Sequence, residues 1–200
     1  MLDLGGVVVR IARTWRERVL AAGVQPRDTE RGEQALQACW DGMNALQRGE
    51  LDTPQLAEQL AAHMNGLYTP DEVTRILNAQ LLGPYPGVAE LVSQLRYPHA
   101  IFSNTSADHW RELSQYDAVK RAQWPIASFQ IGHIKPQPGA YRRFEAEVGR
   151  AGEELLFFDD SAANVHAARD AGWHAERIDP FADVAQQLRR HLRELDLLAG

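Results

Sequence analysis

Leu2-Asp3-Leu4-Gly5-Gly6-Val7-Val8-Val9 stands almost at the N-terminus. An apolar start runs into a carboxylate, a glycine pair supplies a tight turn, and a β-branched run comes next. This reads as a strand that delivers Asp3 to its C-terminal end. In an open parallel α/β sheet that edge gathers strand ends and helix N-termini, and ligands bind there. Taken alone, Asp-x-Gly-Gly is equally turn chemistry, because both residue types favour turns. The strand is short: Met1 and Leu2 precede Asp3, against about 5 residues in an average strand. Either the sheet tolerates a stub, or residues upstream of Met1 complete it.

Working outward, the pattern after residue 86 alternates strands and helices, as in a parallel, doubly wound sheet. His99 to Phe102 reads as a strand ending in Ser103-Asn104-Thr105-Ser106, with a helix from Ser106 to about Val119 and a further strand over Ile126–Ile131. Gly132 to Pro138 is a loop holding Lys135 against a proline, and a helix is expected over Gly139–Val148. Leu155-Leu156-Phe157-Phe158 is the uninterrupted apolar run of a strand covered on both faces. It ends in Asp159-Asp160, and a helix starts at once with Ser161. His174–Ile178 reads as the last strand. Asp179-Pro180 is expected to cap a final helix with Phe181, Val184, Leu188, Leu192 and Leu195 on its apolar stripe.

Between Ala12 and Leu82 the period is helical throughout. Leu36, Trp40, Met43 and Leu46 recur at three- and four-residue steps, Thr53-Pro54 marks one helix start, and Thr69-Pro70-Asp71-Glu72 marks another with a capping box. Four short helices with no strand are expected, inserted between the first strand and the rest of the sheet. The breaker cluster Gly83-Pro84-Tyr85-Pro86-Gly87 marks the return. The expected organisation is a core of residues 1–12 and 84–200 with a helical cap over 13–83.

The totals bound the function. Two hundred residues with 44% hydrophobic and 24% charged content allow one sizeable core and a small accessory domain. A formal charge of -6 argues against nucleic acid as a partner. The single cysteine, Cys39, fits a reducing cytoplasm, and no apolar run is long enough for a membrane span. A cytoplasmic monomer or homodimer is expected.

Asp3, Ser103, Lys135 and the Asp159-Asp160 pair all fall at or just after expected strand ends, so one sheet edge can gather them. Three carboxylates together raise one another's pKa, and a hard cation resolves the conflict. Mg2+ takes oxygen ligands and is commonly held by one or two carboxylates plus a substrate phosphate. The lysine then supplies a point charge, the serine a hydroxyl donor, and an aspartate the nucleophile.

In that order, Asp3-Leu4-Gly5-Gly6-Val7, Phe102-Ser103-Asn104-Thr105, Lys135-Pro136 and Phe158-Asp159-Asp160-Ser161-Ala162-Ala163-Asn164 resemble the four motifs of the haloacid dehalogenase-like hydrolase superfamily. The helical insert resembles that superfamily's small cap. The resemblance implies a Rossmann-like core and roles residue by residue. Asp3 is implied as the nucleophile and a Mg2+ ligand, Gly5 as a carbonyl ligand, and Asp160 as a direct ligand, with Asp159 and Asn164 acting through water. Ser103 and Asn104 are implied to hold the transferring phosphoryl group, and Lys135 to neutralise it. Gly5 is a departure, because superfamily phosphatases commonly carry there an aspartate that protonates the leaving oxygen; sugar-phosphate phosphatases with glycine at that position are similar to this chain.

The resulting expectation is a Mg2+-dependent phosphatase acting on a small phosphorylated metabolite of sugar-phosphate type. A haloacid dehalogenase is the first alternative; it needs neither metal nor leaving-group acid, but it has no use for Asp159 and Asp160. A non-catalytic protein that binds a phosphometabolite or a partner is the second. There is no HExxH, no G-x-S-x-G elbow and no P-loop.

Overall fold

The computed structural model describes residues 1–199. In chain order the elements are β1 (Val9–Ile11), α1 (Trp15–Ala21), α2 (Thr29–Ala38), α3 (Trp40–Arg48), α4 (Thr53–His63), α5 (Pro70–Asn78), β2 (Leu81–Pro84) and α6 (Val88–Ser93). Then come β3 (Ala100–Ser103), α7 (Ala107–Leu113), α8 (Asp117–Lys120), β4 (Trp124–Ala127), α9 (Ser128–Ile131) and α10 (Pro138–Val148). The chain continues with β5 (Leu156–Asp159), α11 (Ala162–Asp170), β6 (His174–Arg177) and α12 (Val184–Glu194).

Leu2 is the hinge of the sheet. Its N–H donates to Ala100 O at 3.0 Å, and its carbonyl accepts from Phe102 N at 3.1 Å. On the other side Asp3 N donates to Phe158 O at 2.9 Å, and Phe158 N donates to Met1 O at 3.1 Å. A one-residue bridge, parallel to both neighbours, therefore joins the pairs β3-β4 and β5-β6. The lateral order is β4-β3-Leu2-β5-β6, all parallel, which seats the first motif in the middle.

The side-chain period of two then sorts the strand residues. Leu2, Ile101 and Phe158 face a core completed by Val88 and Leu91 of α6, Val119 of α8 and Leu188 of α12. Phe102 and Phe157 face the opposite side, against Tyr141 and Phe144 of α10, Ala168 of α11 and Trp173. Helices on both faces make the sheet doubly wound. On the second face Phe102 and Phe144 lie 4.6 Å apart between ring centroids, and Tyr141 and Trp173 lie 5.1 Å apart. Such aromatic pairs contribute about 0.5–1.5 kcal/mol each beyond area burial.

The helices between Ala12 and Leu82 number five rather than four, with a third core around Trp15, Leu56, Leu60, Tyr68 and Ile76. The reading without strands is corrected at its ends. Val9–Ile11 and Leu81–Pro84 pair antiparallel, because the two passages between sheet and helices run side by side and satisfy each other's backbone. Gly83 and Pro84, expected as breakers, lie inside β2. The α4 cap is Asp52 rather than Thr53, in a capping box with Gln55.

Four further expectations shift. The strand expected over Ile126–Ile131 is β4 followed by α9, since Ser128 leaves the ladder to bond Gln47 O at 2.6 Å. The helix expected over Ser106–Val119 breaks into α7 and α8. The last helix is capped by Asp183, whose side chain accepts from Gln186 N, so Phe181 falls in the preceding loop and is 84% exposed. Leu195, placed on the apolar stripe of the last helix by its spacing, is exposed. No helix is long and apolar enough to cross a membrane among the described residues.

Candidate active site

The carboxyl ends of the central strands converge as the doubly wound topology requires. Ser103 closes β3, Asp159 closes β5, and Asp3 follows Leu2 between them. Past Asp3 the chain turns sharply. Val8 N and Val9 N both donate to Leu4 O, at 2.9 and 2.8 Å, and Gly6 sits at φ 84° in the left-handed region. A Cβ on Gly6 would fall 2.4 Å from Asp160 Oδ2 and 2.8 Å from Arg13 Nη2. Only glycine lets the turn pass beneath Asp160.

Lys135 ties the cluster. Its side chain is buried, and Nζ donates to Asp3 Oδ1 at 2.9 Å, Asp159 Oδ2 at 2.6 Å and Phe102 O at 2.7 Å. All three ammonium hydrogens are used. Nζ also lies 4.8 Å from the Phe157 ring centroid and 5.1 Å from that of Phe102. Its backbone is fixed by Asn104, whose Oδ1 accepts from Lys135 N at 2.9 Å while Nδ2 donates to Lys135 O at 2.8 Å. Burial opposes the ammonium charge, but Asp159 and Asp3 alongside hold its pKa above the ordinary lysine value.

Burial pushes the Asp3 carboxyl up to about 7; Lys135 pulls against the rise, and Asp159 and Asp160 add to it. Asp159 is fully engaged. Beyond Lys135, it accepts from Ser161 N at 2.8 Å and from Asn164 Nδ2 at 3.1 and 3.0 Å. Asn164 is placed by α11, whose N-cap is Ser161, and its backbone carbonyl accepts from the Tyr141 hydroxyl at 2.8 Å. Asp160 turns outward and accepts from Arg13 Nη2 at 2.6 Å.

Oxygens of Asp3, Asp159 and Asp160 all lie within 4.8 Å of one another. An all-oxygen donor set of this charge, in contact with the cations of Lys135 and Arg13 alone among the described residues, suits a hard divalent ion. Asp159 spends its oxygens on Lys135, Ser161 and Asn164, whereas Asp3 and Asp160 each pair through one oxygen, with Lys135 and Arg13.

Beside Asp3, between helices and sheet, is a cavity of about 70 Å³. Gly5, Ile11, Ser103, Asn104 and His109 line it, and Gln47, Thr53, Asn78 and Gln80 close it from the helical side. Thr53 Oγ1 donates to Asp108 Oδ2 at 2.6 Å, and His109 Nε2 donates to Leu77 O at 3.0 Å, so hydrogen bonds join α4 and α5 to α7 at its rim.

Every site residue expected from the sequence stands around this one edge. Others carry weaker signals or none. Arg13 precedes the α1 cap and pairs with Asp160; Ile11 packs over Gly5. The cavity-lining amides carry no sequence signal, because their positions depend on how the helices dock. Among the described residues no tryptophan lines it: Trp15 is buried in the helical core, Trp40, placed on an apolar stripe by its spacing, is exposed, and Trp110 packs against the sheet.

Comparison with known proteins agrees with this fold. The family model for haloacid dehalogenase-like hydrolases matches residues 1–172. An enolase-phosphatase of Erwinia tasmaniensis is 36% identical over 62 residues, 31% of this chain and 26% of that protein. A phosphatase of Mycobacterium tuberculosis is 36% identical over 70 residues, 35% of this chain and 32% of that protein. The chain thus matches about a third or less of these curated relatives. Among solved structures, a HAD family enzyme of Bacteroides thetaiotaomicron in complex with magnesium and inorganic phosphate superposes with a TM-score of 0.71 at 19% identity, covering 94% of this chain and 97% of the other. An L-2-haloacid dehalogenase of Xanthobacter autotrophicus with chloropropionic acid covalently bound superposes with a TM-score of 0.66 at 20% identity, covering 98% and 82%. The chain belongs to the haloacid dehalogenase-like hydrolase family.

Proposed function

We propose that this hydrolase is a Mg2+-dependent phosphatase acting on a small phosphorylated metabolite, with sugar phosphates as the first class to try, and that it forms an aspartyl-phosphate on Asp3. The observation that carries the reading is the third carboxylate. Asp3 and Lys135 alone would serve a dehalogenase, but three carboxylates here meet two cations, Lys135 and Arg13, and the charge left over would repel an anionic substrate unless a further cation intervened. The partial matches to phosphatases, and the magnesium and phosphate in a structural relative, point the same way.

In this reading Asp3, Asp160 and the Gly5 carbonyl hold the ion, with Asp159 and Asn164 behind them. A bound divalent ion supplies charge to a phosphoryl oxygen. The chain's residues do the rest. Asp3 attacks phosphorus from an orientation set by the Lys135 contact at Oδ1. The Lys135 ammonium neutralises growing negative charge without reorganising, because its contacts already fix it. Ser103 and the Asn104 backbone receive the phosphoryl oxygens. The helices over residues 13–83 act as the cap that excludes water from the aspartyl-phosphate and opens for release, flexing at β1 and β2.

The test is a panel of sugar phosphates and 2-haloacids, each with chelator and with added Mg2+. Mg2+-dependent phosphate release that disappears in Asp3→Asn and Asp160→Ala supports the reading. Chelator-insensitive halide release would establish the dehalogenase instead. Turnover of neither, with thermal stabilisation by Mg2+ plus a phosphometabolite, would establish binding without catalysis.

A further inference from the structure

We infer that Ser128, at the start of α9, is a positioning residue whose hydroxyl ties the seating of the helical cap to the backbone of the loop that receives the phosphoryl group. The inference rests on the phosphatase reading, and it names how the cap and that site act together.

Ser128 is fully buried where three segments meet. Its Oγ accepts from Thr105 N at 3.0 Å, and it lies 2.6 Å from Gln47 O and 3.2 Å from Thr105 O. Gln47 belongs to the last turn of α3, where carbonyl groups lack a donor within the helix. Its oxygen needs a donor from elsewhere, and Ser128 supplies one. The backbones are close as well, since a Cβ on Gly49, the α3 C-cap at φ 77°, would fall 3.0 Å from Phe129 O. The end of this cap helix therefore rests directly on α9.

The other side of Ser128 reaches the site. Thr105 follows Ser103-Asn104 beyond β3, and Asn104 holds the Lys135 backbone through both ends of its amide. A run of contacts thus leads from Gln47 of the cap through Ser128, Thr105, Asn104 and Lys135 to Asp3. Gln47 and the Ser103 to Ser106 loop line the same cavity, so cap and loop meet the same substrate. Thr53 to Asp108 and His109 to Leu77 also cross from the cap helices, but those bonds end on α7 rather than on the loop.

A serine hydroxyl has one hydrogen, and here two carbonyls lie within its reach. With the cap seated, the shorter contact, to Gln47 O, takes it. With the cap lifted, Gln47 O is withdrawn and the hydrogen turns to Thr105 O, so Thr105 then meets the same oxygen through its N–H and its carbonyl. The loop is held by one set of bonds under a seated cap and by another under a lifted one. Such coupling is reciprocal: phosphate on the loop favours the seated cap by the same factor as the seated cap favours phosphate.

The experiment uses inorganic phosphate with Mg2+ as the probe, on the wild type, Ser128→Ala and Ser128→Thr. Binding is read by calorimetry, and cap seating by hydrogen exchange at Ala12 and Tyr85, whose amides bond across the two passages to Gln80 O and Val8 O. In the wild type phosphate should slow exchange at both amides and at Thr105 together. In Ser128→Ala it should bind more weakly by roughly twofold to tenfold, the worth of one neutral hydrogen bond, and at saturation it should no longer slow Ala12 and Tyr85. Ser128→Thr, which keeps the hydroxyl, should behave as the wild type. Unchanged affinity in Ser128→Ala would overturn the inference and leave the phosphatase reading intact. Weaker binding that still slows Ala12 and Tyr85 at saturation would overturn it too, because Ser128 would then brace the loop without sensing the cap. If Ser128→Ala does not fold, the wild type decides: slowing at Ala12 and Tyr85 with Thr105 unchanged overturns the inference. Phosphate that fails to bind the wild type would overturn the phosphoryl site and the inference with it.

Discussion

Arg13 and Asp160 are joined by an ion pair of 2.6 Å that links the segment leading into the first helix to the strand end carrying the carboxylate cluster. The guanidinium also lies 5.4 Å from the ring centroid of the exposed Phe181. It occupies the flank of Asp160 where a metal ion's charge would be felt. Arg13 therefore competes with the ion for Asp160 or yields to it. With the arginine about a third exposed, the pair is worth no more than about 1 kcal/mol, so Arg13→Ala should tighten Mg2+ binding by roughly fivefold or less. Calorimetric titration of Mg2+ into metal-free protein checks this. Weaker binding in the variant would show instead that Arg13 orients Asp160 for the ion.

Lys135→Met removes the cation that touches both Asp3 and Asp159. Both carboxylates stay buried, and breaking a buried pair on one side typically costs about 3–5 kcal/mol. The metal-free variant should lose stability of that order in urea unfolding, with activity lost as well. A variant that unfolds like the wild type would mean that water, rather than Lys135, compensates the two aspartates.

Gly6→Ala combines a left-handed backbone, costing an L-residue about 1–2 kcal/mol, with a Cβ aimed at Asp160. The expected outcome is a modest loss of stability and a disproportionate loss of Mg2+ affinity. Gly23 is the control, since it is also left-handed but has nothing within 4 Å of its Cβ. Gly23→Ala should show the stability loss alone.

His109 gives a pH signature. Burial lowers its folded-state pKa below the unfolded value of 6.5, with Leu77 O opposing and Arg18 adding to the fall. The unfolded chain then binds more protons than the folded one, so this contribution is complete above pH 6.5 and lost as pH falls through and below it. His109→Gln keeps a donor for Leu77 O and removes the titration. Urea unfolding at about pH 7.5 and about pH 5.5, on either side of the ordinary histidine value, should show a smaller pH difference in the variant than in the wild type. His99, buried and donating to Ala118 O at 2.7 Å, behaves in the same sense and remains in both proteins.

The strand ends are legible in the sequence because each carries a local signature. Apolar runs at Leu2, Ile101-Phe102 and Phe157-Phe158 can only be satisfied inside a sheet, and in a parallel sheet the residue after each run emerges at the same edge. Asp3, Ser103 and Asp159-Asp160 are found that way, and Lys135 through its proline-braced loop. Helix starts at Thr69 and Ser161 are readable from capping chemistry, which is local. Boundaries are not readable where a distant partner decides them. β1 and β2 exist because two passages of chain meet, and α9 begins where Ser128 finds Gln47. α12 starts at Asp183 rather than at Asp179-Pro180.

Sequence by itself therefore determined the order of the main elements, the helical insert and the chemical identity of the site residues, since these depend on periodicity and side-chain type. Tertiary structure alone decided the electrostatics and the cavity. Whether Lys135 reaches two aspartates, whether Arg13 reaches Asp160 and what fills the space above Gly5 depend on residues separated by up to 147 positions. No local pattern encodes such meetings, because the free energy that fixes them comes from packing helices against a sheet rather than from any one segment's own preference.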